Sequence, residues 1–274
     1  MIGQHGNENR TYQKPFVRMP NLQTFKVSSP LTNLPPSVDL RDKANVEIYD
    51  QGSTGSCSAN AICSAYSMLN ILNGKPPVNL SRLFVYYNSR VMDNTQNIDA
   101  GAHLYHAFKT MQVNGCCLEM LWPFYSNLLT IQPPLSCYQE ALKHCAYQQN
   151  TQLDQHNLLN EIKQCLANNL PVVIGILVYS SFESQMTAQT GNVVMPNPLT
   201  ENLLGGHAAL IIAYDDSKQV MTFQNSWGLS WGDKGFGYLP YAFVSDQNLT
   251  SDCHAFTQTE IDRTINPRCP LCGK

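Results

Sequence analysis

The chain has 274 residues, of which 43% are hydrophobic, 14% charged and 9% aromatic, with a formal net charge of −3. That length accommodates one large domain or two lobes sharing an interface, and the composition is that of an ordinary soluble globular protein. So small a negative charge gives no broad attraction to phosphate backbones or anionic lipid, which excludes nucleic-acid binding and membrane-surface attachment as expected functions.

The opening Met1-Ile2-Gly3-Gln4-His5-Gly6 lacks the apolar core of a secretory signal. Residues 1–38 carry neither a helical nor a strand period and end in Leu34-Pro35-Pro36-Ser37-Val38. Repeated proline removes backbone donors and disfavours helix at the preceding residue, so this stretch reads as an extended leader. The expected division is a leader over 1–36, one folded domain over 37–256 and a tail over 257–274.

Residues 58–73 put Ala61, Ile62, Ala65, Met68, Leu69 and Leu72 on one helical stripe, with Gly74 as the stop. Further helices are expected from 80–87, over 102–114 closed by Gly115, over 136–146 and over 158–168. After Pro171 the texture changes: 172–178 is apolar and β-branched, as a buried strand would be. Strands over 207–214 and 220–224 follow, joined by the turn residues Asp215-Asp216-Ser217-Lys218. No apolar run approaches the roughly 20 residues a membrane helix needs. Helices dominate 50–165 and strands 170–245, which predicts an α+β fold of two lobes.

Gln51-Gly52-Ser53-Thr54-Gly55-Ser56-Cys57 is a small-residue loop that delivers a cysteine to a helix start. Unpaired amides there favour an anion, so the Cys57 thiol is expected to have a lowered pKa. The Gln51 side-chain amide can join the Cys57 backbone amide in holding an oxyanion. Gly205-Gly206-His207-Ala208-Ala209 sets a histidine at the head of an apolar strand, 150 residues after Cys57. Eighteen residues further on comes Asn225-Ser226-Trp227-Gly228, at the end of a returning strand. A hairpin of that length brings Asn225 beside His207, where its amide oxygen can fix the imidazole, with Trp227 shielding the bond. Singly, each feature also suits a structural role: a helix-capping Cys, a satisfied core His, tryptophans in packing. The three in the order Cys, His, Asn point to nucleophilic catalysis.

These three segments resemble the papain family of cysteine peptidases, and the resemblance runs from Ser37-Val38-Asp39-Leu40-Arg41 to about Phe243. Asp99-Ala100-Gly101-Ala102-His103, Gly115-Cys116-Cys117-Leu118-Glu119 and Leu121-Trp122-Pro123-Phe124 resemble its bacterial and large-virus branch more than lysosomal cathepsins. The resemblance implies a papain-like fold with a helical left lobe, an antiparallel barrel-like right lobe and a cleft between them. It makes Cys57 the nucleophile, His207 its partner, Asn225 the orienter and Gln51 the oxyanion donor, with Gly101, Gly206 and Trp227 contacting substrate. Protein or peptide is then the substrate, and the chemistry requires no cofactor and no metal. The specificity pocket is sought around Cys253 and His254.

Thr54 and Ser58 stand where the family usually has Cys and Trp, and Gly206 where it often has Asp. Losing that Cys removes a common disulfide, which suits a reduced protein despite ten cysteines. The tail pair Cys269 and Cys272 has no second such pair to complete a zinc site, and is read as a tail with two thiols. The leader, far shorter than a cathepsin prodomain, is expected to lie across the cleft over part of 10–35 as an intramolecular inhibitor. A location inside a cell or virion is favoured over secretion, and no oligomeric state is implied. Two other readings share these residues: a catalytically silent papain-fold binding protein, and an acyltransferase using the same Cys-His chemistry.

Overall fold

The structure, a computed structural model, describes residues 10–12, 27, 30–146 and 152–257, and the backbone of 259–261. In chain order the elements are β1 (Ser37–Asp39), α1 (Cys57–Leu72), α2 (Arg82–Met92), α3 (Leu104–Val113), α4 (Leu135–Ala141) and β2 (Cys145–Ala146). There follow α5 (Leu158–Ala167), β3 (Val172–Tyr179), α6 (Gln185–Thr190), β4 (Leu203–Asp215), β5 (Val220–Gln224) and β6 (Phe236–Pro240). The last are α7 (Tyr241–Ser245), β7 (Thr250–Ala255) and β8 (Thr259–Ile261). The helices α1 to α4 precede the strands β3 to β7 and the sheet is antiparallel, in keeping with the α+β reading.

The main sheet has the order β6-β5-β4-β3-β7, with β1 paired to β4. The strand β4 is its centre, and residues 205–214 are buried because both faces are covered. The helix α1 packs on α2 and α3 to one side and on β4 and β3 to the other. Buried on almost every side, its first fourteen residues include only small, apolar or hydrogen-bonding side chains. It ends at Asn73, with Gly74 in the left-handed region at φ +73° and Lys75 N–H returning to the Asn70 carbonyl at 2.9 Å. Cys57 at the head of α1 and His207 in β4 are thereby carried by the two elements at which the lobes meet.

Several element boundaries differ from the sequence reading: the strand expected over 207–214 already begins at Leu203, and three further differences have a visible cause. The helix α2 starts at Arg82 because Ser81 caps it, accepting from Phe84 N–H at 3.1 Å, while Leu80 bridges to Leu118. The helix expected over 136–146 ends at Ala141, since Cys145 and Ala146 are drawn into a strand against β8. The strand-rich lobe also continues past 245: β7, with its polar Thr250-Ser251-Asp252, docks on β3.

That last difference corrects the expected specificity pocket. Cys253 and His254 are both fully buried. His254 meets the Asp252 carboxylate at 2.6 Å and stacks on Phe108 with centroids 4.7 Å apart. Pairing with β3 and that ring contact close them off, so they brace the sheet edge and line no cleft. All eight described cysteines are buried, and burial pushes the thiols of Cys116, Cys117, Cys165 and Cys253 up, holding them protonated. The pair Cys269 and Cys272 lies outside the described residues. Among the described residues no helix is long and apolar enough to cross a membrane, and no cluster of three ligating side chains could hold a metal ion.

Candidate active site

The loop ahead of Cys57 is fixed by its own polar atoms. Asp50 accepts from Gly52 N–H at 2.8 Å, and Gly52 takes φ +57° to make the turn. Thr54 Oγ1 donates to the Gln51 carbonyl at 2.8 Å and sits 2.8 Å from Ser56 Oγ. Asn60 N–H reaches the Ser56 carbonyl at 3.1 Å, so the helix starts at the nucleophile candidate itself. The Cys57 sulfur receives backbone N–H groups from Ala208, Ser58 and its own residue. Contact with Ala208 brings it against the strand residue that follows His207.

A buried polar cluster holds this loop from below. Asp99 accepts from Gly55 N–H at 3.0 and 3.2 Å and from the Tyr86 hydroxyl, and that hydroxyl in turn accepts from Gly101 N–H at 3.0 Å. A Cβ at position 55 would lie 3.0 Å from Gly101 N and 3.1 Å from Tyr86 Oη, so a side chain there would push these neighbours back by a few tenths of an ångström. The buried Arg90 guanidinium donates to the Ile98 carbonyl at 2.5 Å and covers the Tyr86 ring at 4.0 Å, which pins the chain entering Asp99. Gly101 N–H is spent on the Tyr86 hydroxyl. Asp99→Ala strips acceptors from two buried donors, and it is expected to cost about 2 kcal/mol of stability and to lower kcat/KM as the Cys57 loop loosens. Thermal unfolding and peptide hydrolysis of the same variant check this; unchanged values for both would separate the cluster from the loop.

Residues 49–51 pair with 226–228: Gln51 N–H meets the Ser226 carbonyl at 2.9 Å, and Gly228 N–H meets the Tyr49 carbonyl at 3.0 Å. Gln51 Oε1 accepts from Ser226 Oγ at 2.6 Å, which orients the amide so that Nε2 donates to the Thr54 carbonyl at 2.6 Å. One hydrogen of Nε2 then remains for another acceptor.

His207 Nε2 lies 2.8 Å from Asn225 Oδ1, and Ser226 N–H meets the same oxygen at 2.8 Å. A backbone N–H can only donate, so the atom it meets must be the amide oxygen. The imidazole therefore carries its hydrogen on Nε2, and Nδ1 keeps a free lone pair. Trp227 stands beside the bond, its ring centroid 4.8 Å from that of His207. Phe182 and Trp231 hold Trp227 edge-on at 5.6 and 5.5 Å.

The structure thus brings Cys57, His207, Asn225, Gln51, Gly206 and Trp227 to one place, with Gly101 joined to the Cys57 loop through Asp99 and Tyr86. Residues 10–12 lie there too. Thr11 N–H bonds the Ser53 carbonyl at 3.0 Å, the Arg10 guanidinium sits 4.2 Å above the Trp227 ring and 3.5 Å from Glu183, and the Tyr12 hydroxyl donates to Glu183. The rest of the expected cover, residues 13–26 and 28–29, lies outside the described residues. Sequence reasoning passed over Glu183, Asp99 and Tyr86, because each acts through a distant partner.

Electrostatics differ from the expectation of a lowered thiol pKa. Cys57 and His207 are each only 2% exposed. Burial pushes the Cys57 thiol up to about 12 despite its three N–H contacts, and pushes the His207 imidazole down to about 4, against the help of Asn225 and with the Arg10 charge adding to the fall. Both shifts favour uncharged forms. As folded here, the couple is a thiol and a neutral imidazole, because desolvation outweighs the helix terminus.

The profile of the family described as "Papain family cysteine protease" matches residues 34–257. An uncharacterised peptidase C1-like protein of Acanthamoeba polyphaga mimivirus is 34% identical over 249 residues, covering 84% of this chain and 78% of that protein. Among solved structures, xylellain, a cysteine protease from Xylella fastidiosa, superposes with a TM-score of 0.81 at 28% identity, covering 91% of this chain and 96% of its own. A digestive procathepsin L 3 of Tenebrio molitor shares the fold at a TM-score of 0.64 and 18% identity, over 89% and 76% of the two chains.

Proposed function

The chain belongs to the papain family of cysteine proteases, hydrolases of protein or peptide substrates, and from that premise we propose that it cleaves peptide bonds through Cys57, His207 and Asn225. The observation that carries the assignment is the double engagement of Asn225 Oδ1, by His207 Nε2 and Ser226 N–H at 2.8 Å each. It leaves Nδ1 as the base for a thiol that already touches the neighbouring Ala208 N–H.

In the proposed cycle the Cys57 proton passes to His207 Nδ1 and the sulfur attacks the scissile carbonyl carbon. The carbonyl oxygen becomes an oxyanion held by the Cys57 N–H and the spare hydrogen of Gln51 Nε2. As the carbon–nitrogen bond breaks, His207 returns its proton to the leaving amine and a thioester remains on Cys57. Water, deprotonated by His207, attacks the thioester, releasing the acid and restoring the thiol. Gly101 offers its carbonyl to an extended substrate, and Trp227 and Gly206 shape the wall beside His207.

The leader acts in this reading as an intramolecular inhibitor. Residues 10–12 bond the Cys57 loop, Trp227 and Glu183 together, which supports a plug over the thiol. The domain runs from 37 to 256, with the leader before it and a tail after it.

Digestion in ¹⁸O-labelled water with an added amine tests hydrolysis against acyl transfer. The expected outcome is two fragments, one gaining a single ¹⁸O atom at its new carboxylate. Ligated product with no ¹⁸O would assign the chemistry to an acyltransferase, and intact peptide with folded, leader-free protein would leave only a binding role.

A further inference from the structure

We propose, resting on the reading above, that Glu183 and Trp227 form a subsite selective for an arginine or lysine side chain immediately after the scissile bond, and that Arg10 of the leader occupies it in the closed protein. The leaving amine takes its proton from His207, so the residue it belongs to lies on the His207 side of Cys57. Trp227 forms the wall on that side, 4.8 Å from the His207 ring. An arginine already occupies this wall: the Arg10 guanidinium stands 4.2 Å above the indole and 3.5 Å from a Glu183 carboxylate oxygen.

Two physical features make the pair a recognition element rather than a chance contact. Glu183 ends the 3-10 turn Ser180–Glu183, whose Phe182 is buried under Trp227 and stacked on Trp231 at 6.0 Å. The same turn is tied by Ser181 N–H to Glu201 at 2.8 Å and by Ser184 N–H to the Ser181 carbonyl at 3.1 Å. The carboxylate is therefore held at a fixed place beside the indole face. Secondly, its side chain is only 17% exposed, and its partners from the leader are Arg10 and the Tyr12 hydroxyl. When the leader leaves, a carboxylate without its leader partners and a bare indole face remain, and a cation that stacks on one and pairs with the other restores both contacts. A planar guanidinium meets both better than an ammonium, so arginine should exceed lysine.

The test uses the full chain carrying a site-specific protease sequence between Ser28 and Ser29, folded intact, then clipped and freed of its leader. Three quenched peptides differing only after the scissile bond, with Arg, Ala or Glu there, are compared by kcat/KM. The Arg-to-Ala ratio is expected to be roughly tenfold, the order of a partly buried charge-assisted contact. Glu183→Gln should bring that ratio near one, and Glu183→Arg should turn the preference toward the Glu peptide, which also demonstrates a folded and active variant. Cleavage of all three peptides with a ratio that Glu183→Gln and Glu183→Arg leave unchanged would overturn the subsite and reduce Glu183 to a leader anchor. Cleavage of none by the clipped protein would instead overturn the peptidase reading itself.

Discussion

Cys57→Ala is expected to lower kcat/KM for peptide hydrolysis by roughly 10⁵–10⁶-fold in leader-free protein, the scale on which removing the nucleophile of a coupled set acts. The fold should survive. Cys57 is buried at the head of α1 and a methyl group fits the same space, so stability should change by about 1 kcal/mol or less. His207→Ala should cost a similar factor, since a thiol without its base is left protonated, and the double variant should be little worse than either alone. Asn225→Ala should cost less, roughly 10²–10⁴-fold, because the base remains while its tautomer and angle are released. It also deprives Ser226 N–H of its acceptor, so a stability loss of about 1–3 kcal/mol accompanies it. Rates measured beside thermal unfolding check the set. A Cys57→Ala protein that still hydrolyses peptides within tenfold of the parent would remove Cys57 from the chemistry.

Removing the leader should raise activity at neutral pH by at least roughly 100-fold, the factor that corresponds to an open fraction near one per cent in the intact chain. The same step should release the thiol. With the pKa at about 12 only ~10⁻⁵ of Cys57 is thiolate at pH 7, so alkylation of intact protein is slow. Without the cover, water returns to the sulfur while the Ala208, Ser58 and Cys57 amides stay, and the thiol pKa falls. Acid should loosen the plug. The closed state holds His207 near 4 against an ordinary 6.5, so as pH falls below 6.5 the open state takes up a proton that the closed state refuses. Closure is unaffected by this group above 6.5, weakens through the interval and loses no more below about 4. The shift corresponds to about 3 kcal/mol at most. Exchange protection of the Thr11 amide, corrected for intrinsic rate, should accordingly fall from pH 6.5 to 4. Protection that is constant over that interval, or activity unmoved by clipping, would contradict a plug over His207.

Much of this site was legible because its parts are local. The stripe from Ala61 to Leu72 and the stop at Gly74 give α1 its start and end, and a cysteine at a helix start follows from the small residues before it. The β-branched run that becomes β3 and the turn at 215–218 give two more elements, and the interval between His207 and Asn225 is a hairpin's length. What was not legible depends on contacts between distant segments. Thr250-Ser251-Asp252 looks like loop, yet it is held as strand by the free edge of β3, and this buries Cys253 and His254. Asp99 is an unremarkable acid until Gly55 and Tyr86 are brought to it across the fold. The helix-terminus argument gave the wrong sign for Cys57 because burial of the sulfur raises its pKa more than the surrounding backbone N–H groups lower it.

Covalent labelling by a peptidyl epoxysuccinate, followed by intact-mass measurement and peptide mapping of intact and clipped protein side by side, tests the central claim most directly. A single adduct on Cys57 in the clipped protein, with little or none in the intact chain, is the predicted result. Equal labelling of both would leave a reactive Cys57 but remove the plug. No adduct on Cys57 in folded, clipped protein would contradict the account, since an activated thiol beside His207 and Asn225 is its premise.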